Sequence, residues 1–437
     1  MKRVAMVLIF AIVVGLVADV RADVTKDEIL REANQRILEN RTTDGVLKLI
    51  GPDGDVVKEG LTARIEQRRH KFLFGCNIFR LHQCRTPEDN EAYEKYFSEL
   101  LNYATLPFYW WTYTREKGRP DDARTEEIIR WCTVHKVTMK GHPLAWNYDE
   151  PRWLPDDPRA AMTAQMDRIE RCVKRFAGDI DIWDVVNEAT DYGRIALRKR
   201  APKLTKAIDQ MGVGEYTRDA FRTARAANPA ATLVINDYRA DQAYIDKVLK
   251  ELVDEQGRPL YDVIGIQSHM HGRYWGAEKT WEVCERYAKF GKPIHFTETT
   301  LVSGPKTKEG WHTTLEGEER QAREAVEFYT VLFSHPAVKA ITWWDFSDQG
   351  AWLDAPAGLL RDDMTPKPIY NELKKLIKDR WWTRISKKVS REGTVELRGF
   401  LGEYRVVIED GDRELVGTFE LEKEGARPIE VRLKRSK

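Results

Sequence analysis

IDIWDVVNE, residues 180–188, is a short apolar run that closes on two polar side chains, Asn187 and Glu188. Its length suits one buried strand. Runs of the same kind recur at FLFGC (72–76), YATLPFYW (103–110), VTMKGHPL (137–144), TLVINDY (232–238), DVIGIQSH (262–269), PIHFTE (293–298) and AITWWDF (340–346). Between them lie stretches of helical period, among them 89–101, 159–176, 215–227 and 318–333. Eight strand–helix units over residues 72–384 predict an α/β protein built on a closed (β/α)8 barrel, not an open sheet.

The flanks read differently. Residues 23–71 begin with an amphipathic helix over 26–40, then alternate apolar positions around a Pro-Asp-Gly turn at 52–54, which predicts a small β-rich cap. Residues 385–437 alternate with period two through TVELRGF, EYRVVIED, GTFELEK and IEVRLK, with a Gly-Asp turn at 411–412. That pattern predicts a small antiparallel β-sandwich. The tail is poor in tryptophan after Trp382, which favours a structural cap over a carbohydrate-binding module. Trp381 and Trp382 are placed to pack the last helix against it.

The first 22 residues stand apart. Lys2 and Arg3 precede an apolar stretch over 4–17, and Val20-Arg21-Ala22 closes it with a small-residue cleavage pattern. This is the pattern of a secretory signal peptide. The apolar run is short for a membrane span; an uncleaved anchor is the alternative. A secreted or periplasmic chain is expected, with no stable membrane insertion after cleavage.

Composition excludes several classes. Lys+Arg 71 against Asp+Glu 70 leaves no basic excess for nucleic acid. Five cysteines rule out a disulfide-built scaffold. Cys76 and Cys84 can pair, but buried free thiols are the simpler reading. His269 and His271 flank Met270 without a third partner in sequence, so neither metal nor other cofactor is expected. A monomer is expected.

Barrel chemistry lies at the C-terminal ends of the strands. Those ends carry His142, Trp146, Asn187, Glu188, Asn236, Asp237, Gln267, His269, Glu298, Trp344, Asp348 and Trp352. Glu188 and Glu298 end strands four and seven, across the mouth from one another. Two carboxyl groups opposed over a tryptophan-floored groove suit cleavage of a glycosidic bond. Indole rings offer an apolar face to the C–H face of a sugar. A β-linked polysaccharide or oligosaccharide is the expected partner. His70 and His295 read as structural, and Trp343 should point to the helix layer if Trp344 points into the mouth. The basic cluster 194–206 reads as a solvated loop after strand four, with binding of an acidic sugar substituent as its alternative.

Trp183-Asp184-Val185-Val186-Asn187-Glu188 resembles the acid/base motif of glycoside hydrolase family 10, the family of many β-1,4-xylanases. Gly141-His142-Pro143-Leu144-Ala145-Trp146 resembles its strand-three motif and Ile235-Asn236-Asp237-Tyr238 its strand-five motif. Gly265-Ile266-Gln267-Ser268-His269, Thr297-Glu298 and the stretch from Trp344 to Trp352 resemble strands six, seven and eight. The resemblance implies a TIM barrel that hydrolyses xylan with retention, without a cofactor. Glu188 would be general acid and then base, Asn187 would contact the sugar 2-hydroxyl, and Glu298 would be the nucleophile, held by His269. His142, Trp146, Gln267, Trp344 and Trp352 would line the −1 sugar pocket. The two roles need a drier setting for Glu188 and donors such as His269 and Gln267 for Glu298. Retention calls for carboxyl groups about 5–5.5 Å apart.

The sequence also departs from that family's pattern. The strand-two stretch at 106–112 reads LPFYWWT, where Asn and Lys normally hold the glycone sugars. Thr300 stands where an Asp is usual, Asn147 where a His is usual and Asp345 where a Gly is usual. Each of Phe108, Tyr109, Trp110 and Trp111 is open to a core or a sugar-facing role. Three alternatives therefore stand beside xylan hydrolysis: another β-glycan, attack at a chain end, or a glycan-binding barrel without turnover.

Overall fold

The computed structural model describes residues 25–411, 413–425 and 428–436. The signal peptide expected at 1–22 lies outside the described residues. The eight apolar runs form eight parallel strands: Leu73–Asn77, Tyr103–Pro107, Thr138–His142, Ile182–Asn187, Thr232–Asp237, Val263–Met270, Ile294–Leu301 and Val338–Trp343. Each pairs with the next, and the eighth returns to the first, with Ala340 opposite Leu73 and Trp343 opposite Cys76. The sheet is a closed barrel, as the alternation of runs and helices led us to expect. Closure leaves no edge strand to protect.

The helices start where the sequence supplies caps. Thr86 accepts from Asp89 N ahead of Pro87–Leu100, and Asp157 accepts from Ala160 N ahead of Pro158–Arg175. In both, a proline occupies the first turn, where its missing N–H costs nothing. The basic cluster after strand four is not a loop. Residues Ile195–Arg200 and Pro202–Met211 are helices, and Arg198 pairs with Asp209 across them.

The two terminal pieces, expected as separate bodies, form one sandwich. Thr42–Ile50 pairs antiparallel with Thr394–Phe400 and parallel with Ile429–Arg432. Thr62–His70 lies between Arg384–Lys388 and Gly402–Asp410, and the latter pairs with Arg413–Leu421. The physical reason is that each N-terminal strand alone presents two open edges, which the tail strands fill. Leu47, Ile65, Leu397, Val406 and Phe419 join in its core. The sandwich docks at the N-terminal rim of the barrel, away from the strand ends that carry the chemistry. Arg41, buried, donates to the carbonyls of Phe333, His335 and Val338 at that rim. Trp381 stacks on Phe333 with ring centroids 4.2 Å apart, and Trp382 sits edge-on to His70.

Two packing details fix the strand ends. A Cβ on Gly141 would lie 2.1 Å from the Trp183 ring, so the third strand can approach the fourth only with glycine there. Phase shifts in pairing fall between Asp184 and Val186 and between Ile266 and Gln267, immediately before the polar ends of strands four and six. Bulges of this kind re-aim side chains. The five cysteines are free thiols. Gly141→Ala is expected to lower the unfolding free energy by about 1–3 kcal/mol through overpacking. Denaturant melts check this, and an unchanged midpoint would mean that Trp183 yields freely.

Candidate active site

Strand four ends on Asn187, and Glu188 follows in the left-handed region at φ 58°, ψ 39°. A non-glycine residue pays about 1–2 kcal/mol for that backbone. The turn sets its N–H on the carbonyl of Asn236 at 2.9 Å and leaves the carboxyl in the barrel mouth, 7% exposed. Glu298, on strand seven, is buried across the mouth.

A chain of amides links the two carboxyls. Asn236 Nδ2 donates to Glu298 Oε1 at 2.7 Å and to Asn187 Oδ1 at 2.8 Å. Gln267 Nε2 donates to the same Asn187 oxygen at 3.2 Å and to Glu188 Oε1 at 3.3 Å. Thr297 Oγ1 donates to Asn236 Oδ1 at 2.6 Å, which fixes the orientation of that amide. Gln267 thus serves Glu188, not Glu298 as the sequence reading held, and Asn236 is the amide on Glu298. With its oxygen occupied, Asn187 keeps its Nδ2 for a ligand.

Histidines flank Glu298. His269 Nε2 lies 3.0 Å from Glu298 Oε2, and its Nδ1 lies 2.8 Å from Thr300 Oγ1. A hydroxyl can donate or accept, so Thr300 satisfies the imidazole in either protonation state. His142 Nδ1 contacts Asp184 Oδ2 at 2.7 Å, and its Nε2 is 3.8 Å from Glu298 Oε1. Beneath them Lys140 Nζ lies 2.6 Å from Asp184 Oδ2, both side chains sealed in the barrel. Lys140 and Asp184 had no role in the sequence reading. The signal for Lys140 was a charge in the middle of an apolar run.

These surroundings separate the two carboxyls. Glu188 is raised to about 7: burial pushes it up most, Arg194 pulls it back, Glu298 and Asp237 add to the rise, and the Gln267 hydrogen bond opposes it. Burial also pushes Glu298 up, but the nearby His142, the hydrogen bond and charge of His269, and Lys140 together outweigh it. Glu298 is held below its ordinary value. Arg194, six residues after Glu188, donates to Glu188 Oε2.

Two cavities meet at Glu188. The smaller, about 340 Å³, is lined by Tyr109, Trp111, His142, Trp146, Trp344 and Asp345 together with both carboxyls. The larger, about 770 Å³, holds Arg194, Tyr238, Arg239, Lys279 and Arg286, and shares Glu188, Gln267, His269, Trp146 and Trp352 with the first. Trp344 stands edge-on to His142 and His269. Trp352, 40% exposed, packs on His269 with centroids 4.6 Å apart. Trp146 Nε1 is buried without an acceptor. Trp343 turns to the helix layer and donates to Ala357 O.

The aromatic stretch divides cleanly. The second strand ends at Pro107, and Trp110–Tyr113 is a short helix. Phe108 and Trp110 are buried in the core, while Tyr109 and Trp111 line the smaller cavity. Asn147 Nδ2 ties the strand-three loop to Tyr192 O and Thr205 Oγ1. His70 and His295 are buried away from both cavities. Among the described residues no group of three or more His, Cys, Asp or Glu is disposed to hold a metal ion.

Asp345 offers a test that needs no substrate. Its Oδ1 accepts from Trp352 N at 3.1 Å, its Oδ2 is buried without a donor, and burial raises the carboxyl to about 7. The folded state therefore favours the protonated acid, and stability is lost as pH rises from the unfolded value towards 7. Asp345→Asn should be more stable than the parent at pH 8 by roughly 2–4 kcal/mol, with the gain vanishing below about pH 4. Melts across that range check it. A gain that does not vary with pH would contradict it.

The family model described as Glycosyl hydrolase family 10 matches residues 68–376. Endo-1,4-beta-xylanase B of Thermotoga neapolitana is 26% identical over 287 residues, 62% of this chain and 78% of the relative. Endo-1,4-beta-xylanase 1 of Arabidopsis thaliana is 25% identical over 414 residues, 89% of this chain but 39% of the relative. The chain thus spans well under half of that longer relative. Among solved structures, native xylanase 10B from Thermotoga maritima superposes with a TM-score of 0.59 at 26% identity, covering 71% of this chain and 96% of that one. Xylanase 10B from Thermotoga petrophila RKU-1, in complex with xylobiose, gives 0.58 at 25% identity over 71% and 95%.

Proposed function

Because the chain belongs to glycosyl hydrolase family 10, we propose that it is an exported, retaining glycosidase that cleaves β-1,4-xylosidic linkages of xylan-type polysaccharide. The observation that carries this reading is the divided pair: two buried carboxyls at one barrel mouth, Glu188 raised to about 7 and Glu298 held down. Glu298, ionised, forms a bond to the anomeric carbon as the C1–O bond breaks. The departing oxygen takes the electron pair and the proton from Glu188. Water then attacks the same carbon, gives its proton to Glu188 and frees Glu298. Asn187 Nδ2 is the donor for the 2-hydroxyl, and Trp146, Trp344 and Trp352 supply ring faces for the sugar. Export rests on residues 1–22. No described helix is long and apolar enough to cross a membrane.

A second reading, attack near a chain end, is favoured by the smaller cavity. Its far side is bounded by the loops after strands one and eight, which Gln349 ties together by accepting from Arg85 N and donating to Asp89 Oδ2. At about 340 Å³ it sits near the lower end of the ~300–1,000 Å³ of small-molecule pockets. A ladder of oligosaccharide products supports internal cleavage; a single small sugar supports the chain-end reading.

The test is product analysis by mass spectrometry on xylan, xylo-oligosaccharides and other β-glycans, with Glu298→Ala as control. The parent should release xylo-oligosaccharides, and the variant should lose a factor of about 10⁴ or more. Products from another glycan alone would overturn the substrate. Silence on all of them would favour a glycan-binding barrel.

The same pair fixes the pH profile. kcat/KM should fall above about pH 7, as Glu188 loses its proton, and again in acid, below the ordinary carboxylate range, as Glu298 gains one. An alkaline limb near pH 5 would contradict the assignment.

A further inference from the structure

Arg194 is the one cation in hydrogen-bonding contact with Glu188 among the described residues. It precedes the helix Ile195–Arg200 and lines the larger cavity but not the smaller. Its guanidinium lies 4.9 Å over the ring of Tyr238, whose hydroxyl donates to Asp191 at 2.6 Å. Its Nε is buried and has no acceptor. The aromatic face thus holds the side chain in place with its Nη2 on Glu188 Oε2. The groups that face Glu188 from the other elements are Gln267 and His269 on strand six, Glu298 on strand seven, Asp237 on strand five and Tyr109 after strand two. Among them only Gln267 hydrogen-bonds to Glu188.

The two oxygens of Glu188 are therefore both met by N–H donors, Oε1 by Gln267 and Oε2 by Arg194. Both contacts favour the carboxylate and oppose the burial that keeps Glu188 protonated. A proton on Oε2 removes the charge that holds Arg194 there, so proton and guanidinium compete for one oxygen. Resting on the proposed function, we propose that Arg194 is a positioning residue that stabilises Glu188 as the carboxylate and so favours the base step over the acid step. In the first step the proton of Glu188 leaves with the departing sugar oxygen, and the carboxylate that remains is met by Arg194. In the second step that carboxylate, aligned by the same contact, takes the proton of the attacking water. The arrangement trades some proton-donating power for a base already oriented when the glycosyl-enzyme forms.

The test compares the parent with Arg194→Gln and Arg194→Lys. Removing a positive charge makes the carboxylate less favourable, so Arg194→Gln should move the alkaline limb of kcat/KM up by about one pH unit on a substrate with a poor leaving group. Arg194→Lys should stay near the parent. On a 2,4-dinitrophenyl β-glycoside, whose leaving group needs no proton, Arg194→Gln should lower kcat by about tenfold and KM with it, because the glycosyl-enzyme accumulates. An unmoved limb with an unchanged kcat overturns the proposal and leaves the proposed function standing. If the parent turns over no glycoside, that function falls. Infrared titration of the Glu188 carboxyl, assigned by difference against Glu188→Gln, then decides: a midpoint that rises in Arg194→Gln supports the Arg194 contact, and an unmoved midpoint overturns it.

Discussion

The ion pair between Lys140 and Asp184, sealed in the barrel at 2.6 Å, is the contact on which the site rests. Taking two charges out of water costs several kcal/mol per ion, and an apolar pair of the same volume would stabilise the barrel as well or better. Its presence is explained by what stands above it. Asp184 Oδ2 also meets His142 Nδ1, so the pair fixes the ring whose other nitrogen faces Glu298. Lys140 adds its charge to those that keep Glu298 ionised. Asp184, itself pushed up by burial, is brought below its ordinary value by Lys140 and His142. A layer of charge in the barrel thus sets the charge of the mouth.

Above that layer the amides of Asn236, Asn187 and Gln267 join the carboxyls without neutralising either. Asn236 gives a hydrogen to Glu298 and Gln267 gives one to Glu188, and both amides meet on one oxygen of Asn187. An amide does not titrate here, so this bridge holds distance and orientation while leaving the proton inventory to the two acids. The left-handed backbone at Glu188 is consistent with this. A strained turn persists only where its surroundings over-determine it, and Glu188 N is fixed on strand five while Thr190 N is held by Asp237.

Most of this layout was legible because barrel strands announce themselves. A short, mainly apolar run that closes on polar side chains needs no knowledge of its neighbours, and all eight runs overlap the observed strands. What escaped is what depends on partners distant in sequence. Asn236 stood in plain view, but its partners lie 49 and 62 residues away. The pairing of Thr42–Ile50 with Thr394–Phe400 joins opposite ends of the chain, so two halves of one sandwich read as two small bodies. Arg194 was hidden in a basic cluster whose next arginine, Arg198, makes an ordinary surface pair with Asp209. The faces of residues 108–111 could not be read by alternation, because the chain leaves the strand at Pro107 and turns into a helix.

The two cavities then imply different kinds of recognition. The larger one carries charged and hydrogen-bonding groups, so it can read polar substituents by direction as well as by shape. The smaller is walled by Tyr109, Trp111, Trp146 and Trp344, and the stretch at 106–112 brings it no charged group. Ring faces bind a sugar through apolar contact, and an apolar wall rejects one extra carbon by only about 1–3 kcal/mol, whereas an unpaired buried donor or acceptor rejects far more strongly. Discrimination on that side therefore falls to the polar groups around those rings: Arg80, Asp345, the buried Trp146 Nε1 and the two carboxyls. Sugars that differ in size alone will be separated weakly there. Under the proposed function, sugars that differ at a hydroxyl set against Asn187 Nδ2 would be separated more sharply, because the amide bridge holds that donor in place.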